Sequence, residues 1–169
     1  MERADRGGKK WLVLSVIALV CAAAIFWCGV LVIHRVRENY ARYSADQVTA
    51  QIIAELKYTD LAKVEGSQLA KHYDIPDGVV EESSVYMSKS SESASELACF
   101  LLTDPSKYKE LEQAVTEHIA TRADGFKNLN PVQYGALKDR LVAQSGRYVL
   151  VAVGSNTAGE EKLFRSMVG

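Results

Sequence analysis

Cysteine is scarce in this chain and poorly placed for cross-linking. Of three among 169 residues, Cys21 and Cys28 fall in an apolar run and Cys99 stands alone further on. A lone cysteine forms no disulfide within its domain, so the core must hold it. Proline is equally scarce. Pro76, Pro105 and Pro131 each punctuate a boundary between elements. Histidine occurs as His34, His72 and His118, one per region, none with a second ligand at metal-binding spacing. An excess of charge is also missing. The net charge is −1, and residues 34–169 hold 16 basic against 19 acidic side chains, which gives nucleic acid no electrostatic footprint.

The common catalytic signatures are missing as well. There is no G-x-G-x-x-G, no G-x-x-x-x-G-K-S/T and no G-x-S-x-G. "VAVGSNTAGE" at 151–160 puts a glycine between a strand and a helix, where a phosphate loop would lie. It lacks the second close glycine and the lysine, and reads as a capping turn. The expectation is a non-enzymatic protein with no catalytic set, no metal site and no cofactor.

What the chain has is one long apolar run. From Trp11 to Ile33 there are 23 residues without a charge, with Ser15 the one strongly polar side chain. As a helix they would span roughly 34 Å, enough for a hydrocarbon core of about 30 Å. A signal-peptide core is shorter, about 7–15 residues. Cleavage after Ala22-Ala23-Ala24 would leave the apolar "IFWCGVLVI" as an N-terminus, and neither Cys21 nor Cys28 follows a small residue. The run is therefore expected to be an uncleaved single-pass membrane anchor with Trp11 and Ile33 at its edges. Arg3, Arg6, Lys9 and Lys10 precede it and Arg35, Arg37 and Arg42 follow, so charge favours a cytoplasmic N-terminus by a narrow margin.

The expected organisation is a cytoplasmic N-terminus over 1–10, the transmembrane helix over 11–33, a stalk over 34–43 and a domain over 44–169. In the domain, Ser44 and Gln47 form a capping-box pattern before a stripe of Val48, Ile52, Ile53 and Leu56. Leu61, Val64, Leu69 and Tyr73 extend a helical region broken near Gly66. "SVYMSKS" at 84–90 alternates as a half-buried strand. "LACFLLT" at 97–103 is apolar throughout, as suits a strand buried on both faces. Asp104-Pro105 starts a helix that Gly125 ends, Pro131 starts a shorter one running to Gly146, "YVLVAV" at 148–153 is another apolar strand, and Ser155 or Asn156 caps a last helix. The order α-β-β-α-α-β-α predicts an α+β fold, a small α/β sandwich with a roughly three-stranded, mostly antiparallel sheet.

One charge stands out. Arg122 continues the stripe of Leu111, Val115 and His118 or Ile119. It reads in three ways: as a partly buried partner of Glu96, as a solvated cation at a helix C-terminus, or as a ligand contact.

"YDIP" at 73–76, "SASELACF" at 93–100, Arg122 before Phe126, "NPVQY" at 130–134 and "GRYVLVAVG" at 146–154 together resemble the DUF4358 family, bacterial domains of unknown function found mostly in Firmicutes. The resemblance covers about residues 45–168. It implies an extracytoplasmic domain on a lipoprotein or membrane anchor, and so strengthens the cytoplasmic N-terminus. It supplies no catalytic residues. The chain departs from the pattern in lacking a lipid-attachment cysteine and in carrying Leu129 where an aromatic is expected.

Three functions stay open. The first is an envelope protein at the cell membrane that binds another protein or the cell wall. The second is a self-assembling homo-oligomer like the ring-building domains of sporulation channels, with an exposed edge at 84–90 open to strand addition. The third is a hydrolase using Glu96 and Arg122.

Overall fold

A computed structural model describes residues 14, 16–17, 19–30 and 42–169. Two compact units divide the chain, Met1–Tyr40 and Ala41–Gly169. In the first, residues 19–30 are helical, and Leu19, Ile25, Phe26 and Trp27 are each at least 66% exposed. The expected anchor edges Trp11 and Ile33, and most of the expected stalk, lie outside the described residues. Among the described residues no helix is long and apolar enough to cross a membrane.

The first helix of the second unit begins where the capping box forms. Ser44 Oγ accepts from the Gln47 amide at 3.1 Å, and Gln47 Oε1 accepts from the Ser44 amide at 2.9 Å. This starts α1 (Ala45–Leu56), whose Val48 and Ile52 are fully buried. Ser44→Ala is expected to cost about 1 kcal/mol, read as a lowered urea midpoint at unchanged slope. Tyr43 is held just before it: Tyr148 Oη donates to the Tyr43 carbonyl at 2.6 Å and accepts from its amide at 2.8 Å.

The elements that follow are β1 (Leu61–Lys63), α2 (Gly66–His72), β2 (Val80–Ser88), β3 (Glu96–Leu102), a 3₁₀ turn (Pro105–Lys107), α3 (Tyr108–Phe126), α4 (Pro131–Lys138), β4 (Leu141–Ser145), β5 (Tyr148–Val153) and α5 (Thr157–Val168). The sheet is antiparallel throughout, in the order β1-β2-β3-β5-β4. Its two central strands are the two apolar runs, and both faces are covered. Ala98, Phe100, Leu102, Val149, Val151 and Val153 pack toward α3 and α4. Leu97, Cys99, Leu101, Leu150 and Ala152 pack toward α1 and α5.

The α+β class and the β2–β3 hairpin stand as expected, but the sheet has five strands rather than three. Residues 61–73 are not one interrupted helix. They form β1, which pairs with β2 from Leu61↔Ser88 to Lys63↔Tyr86, followed by α2, which Gly66 begins rather than breaks. Three residues are too few to show a period, and the pairing with β2 decides their state. The helix from Pro131 stops at Lys138 instead of Gly146. The i, i+4 spacing of Leu137 and Leu141 imitates a helix, yet Leu141 belongs to β4. A two-residue turn returns β4 into β5, with Gly146 at φ +55°, a left-handed conformation that glycine adopts without steric cost. Gly125 does not end α3, which continues to Phe126. The segment expected as an exposed edge at 84–90 lies mostly in β2, between β1 and β3. The outermost strands are β1 and β4, and β1 covers only Tyr86–Ser88 of β2.

Candidate functional site

Glu96 opens β3 on the face that receives α3, and is 1% exposed. Along α3 the stripe Leu111, Val115, His118, Arg122 advances by four, three and four residues, so His118 and Arg122 project toward the same point. Tyr73 arrives from the end of α2.

These groups meet on one carboxylate. Arg122 Nη1 donates to Glu96 Oε2, and Tyr73 Oη donates to Oε1. His118 Nε2 lies 3.0 Å from Oε2 and 3.2 Å from Oε1. His118 Nδ1 faces the His72 carbonyl oxygen at 2.7 Å. Both ring nitrogens therefore face oxygen atoms. The Tyr73 ring stacks on His118 with centroids 4.0 Å apart and meets Phe100 edge-on. The Arg122 side chain keeps 16% exposure, while those of Glu96 and His118 keep 0% and 3%.

Electrostatics follows from this packing. Burial pushes the Glu96 carboxyl up, but His118, Arg122 and Tyr73 outweigh it and hold the group below its ordinary 4.5. Burial, then the Glu96 charge, push the Tyr73 phenol well above 10.0. Burial and the charge on His118 push the His72 ring below 6.5. A carboxylate that accepts from three donors has little capacity left to take a proton from a substrate. Cys99 is no nucleophile either, since burial raises its thiol to about 12.

The structure thus brings together the expected pair, Glu96 and Arg122. Of the three readings of Arg122, the geometry is that of the partly buried partner. His118 and Tyr73 were missed as members. His118 carried a signal, lying four residues before Arg122 on the same stripe, whereas Tyr73 comes from a separate helix end that no spacing links to Glu96.

A second polar pair has no precedent in the sequence pattern. Tyr58 Oη donates to Glu160 Oε1 at 2.9 Å, and Glu160, in the first turn of α5, is 2% exposed. Burial pushes the Glu160 carboxyl above 4.5. Among the described residues no group of three His, Cys, Asp or Glu side chains is placed to hold a metal ion.

No curated protein and no solved structure matches the chain. A family model does match, over residues 54–154, a stretch that contains all five strands together with Tyr73, Glu96, His118 and Arg122. On that match the chain belongs to the DUF4358 family, a domain of unknown function.

Proposed function

We propose that the chain is a single-pass membrane-anchored protein, its N-terminus cytoplasmic, whose extracytoplasmic domain is non-enzymatic and binds an extended segment of a partner protein along β4. The apolar run of 11–33 and the exposed apolar side chains on its described helical part support the anchor. The saturated Glu96 carboxylate supports a structural role for that residue over a hydrolytic one.

The observation that carries the binding reading is the edge at β4. The sheet ends on each side in a strand with one neighbour, and the two edges differ. β1 has three residues and includes Lys63, a short and charged edge that discourages pairing. β4 has five residues, Leu141–Ser145, with no proline and no charge. Its hydrogen-bonded pairs with β5 alternate from the turn at Ser145↔Tyr148, so the N–H and C=O of Val142 and Gln144 point to the open side. A groove of about 350 Å³ runs beside the strand, lined by Lys109, Gln113, Thr116, Arg140 and Val142 among others. Arg140 Nε is buried, and among the described residues no acceptor reaches it. A strand added to β4 would supply carbonyl acceptors at that place, which is how β-addition gains affinity.

The test places a photoreactive residue at Lys109, an exposed position on the groove, in the full chain in its own membrane. The expected result is one discrete adduct with a different protein, lost with Val142→Pro while the circular dichroism spectrum is kept. An adduct of twice the chain mass would transfer the edge to self-assembly. No adduct at all would remove the binding reading.

A further inference from the structure

Away from the β4 edge, a cavity of about 90 Å³ opens beside β1, the start of β3 and the end of β5, with Glu96 among its lining residues. Its walls include Tyr58, Asp60, Leu61, Ser95, Ser155 and Glu160. Asp60 and Ser155 are exposed at its mouth, and Glu160 is buried.

Glu160 is the feature that needs an explanation. Its Oε1 accepts from Tyr58, but Oε2 is buried and no protein donor reaches it among the described residues. A buried carboxylate oxygen without a donor is costly, and native structures hold few such groups. The surroundings narrow what can supply the donor. No lysine, arginine or histidine lines the cavity, whereas Asp60, Glu96 and Glu160 all do. The Glu96 charge is already spent on Arg122 and His118. The space open to a water-sized group is about 90 Å³, which suits a small head group.

We infer that this cavity is a binding subsite for a primary ammonium group, seated against Glu160 Oε2. An ammonium carries three N–H donors and one positive charge. One donor satisfies Oε2, and Ser95 and Ser155 are the hydroxyl-bearing residues on the walls. A divalent metal is the poorer occupant, because no three ligating side chains converge here. Burial pushes the Glu160 carboxyl up, and a cation at this position offsets that desolvation with opposite charge. Position in the first turn of α5 already favours a negative charge at Glu160.

The experiment follows the amide resonances of Gly154 and Ser155 in the full chain in detergent micelles as methylammonium chloride is added. Saturable shifts at these two amides are expected, with affinity reduced at least tenfold in Glu160→Gln. Should that variant not fold, Ser155→Trp obstructs the exposed mouth without touching the buried carboxylate, and is expected to abolish the shifts. Sodium chloride at equal ionic strength, and tetramethylammonium, which has no N–H, are expected to give none. Nα-acetyl-lysine methylamide then distinguishes the source: tighter binding than methylammonium assigns the group to a polypeptide lysine, and weaker binding to a small free amine. The inference is overturned if methylammonium gives no saturable shift, if tetramethylammonium matches it, or if the folded Glu160→Gln protein binds as well.

Discussion

Replacing Glu96 with alanine is expected to lower the unfolding free energy of the Ala41–Gly169 domain by about 3–5 kcal/mol, the range for a buried ion pair that loses one member. Three donors depend on this carboxylate. Without it His118, with 3% of its side chain exposed, keeps a buried nitrogen with nothing to donate to. Tyr73, 2% exposed, loses the acceptor for its hydroxyl. Arg122 fares better, because 16% of its side chain reaches solvent and water can take over part of its solvation. Arg122→Ala is accordingly expected to cost less than Glu96→Ala. Urea unfolding followed by circular dichroism measures both, and the double variant gives the coupling between them. A Glu96→Ala midpoint equal to that of the unaltered domain would mean that the cluster contributes nothing to holding α3 on the sheet.

The same residue predicts a pH dependence. The Glu96 carboxyl is held below its ordinary 4.5, so the unfolded state binds its proton first as the pH falls. The stability it contributes is complete above about 4.5 and is lost as the pH drops through the lower folded value. Glu160 acts in the opposite sense. Its carboxyl is raised, so its contribution is complete below 4.5 and fades as the pH rises through the folded value. His72, lowered from 6.5, adds to the loss on the acid side from a higher starting pH. Comparing the domain with Glu96→Ala cancels Glu160, whereas His72, on which the Glu96 charge itself acts, cancels only in part. The difference in unfolding free energy between them should shrink as the pH falls below 4.5, and a constant difference would contradict the assignment.

Phe164→Ala is the second large effect, at about 3–5 kcal/mol, the usual cost of emptying a fully buried aromatic site. Phe164 is 0% exposed and is the anchor of α5 on the sheet face shared with α1. Its neighbours on the helix, Leu163 and Met167, are only partly buried, so they cannot replace the lost contacts. The rest of α5 is too polar to dock unaided: Phe164 and Glu160 are its two buried residues. Loosening should therefore show first in α5 itself. Hydrogen exchange of the α5 amides is expected to accelerate more than that of β3, while the urea midpoint falls for the whole domain. A loss of under about 1 kcal/mol would mean that the site collapses readily around the smaller side chain.

Much of this architecture follows from short-range pattern. The cap at Ser44, the proline starts at Pro105 and Pro131, and the apolar stripe of α3 each lie within one or two helical turns of the residues they organise. Residues 97–102 of β3 and all of β5 are apolar because both faces of the sheet are covered, and an unbroken apolar run is visible without knowing what covers it. Arg122 was legible only as a question: an arginine on an apolar stripe fits a buried pair with Glu96, a solvated helix end or a ligand contact, and the pattern left all three open.

The remainder depends on residues far apart in sequence. β1 and β4 are too short to show a period, and their state is decided by β2 and β5, which supply the hydrogen bonds. The order β1-β2-β3-β5-β4 then decides which backbone edge stays open, moving it from the segment at 84–90 to β4. Tyr73 joins the Glu96 cluster across 23 residues, and Tyr58 meets Glu160 across 102. By itself the sequence determined the α+β class, the main helices and the two central strands, because periodicity and capping act over a few residues. Only the tertiary structure decided the strand count, the open edge and the orphaned carboxylate oxygen of Glu160, because each depends on which distant segment the folded chain brings alongside.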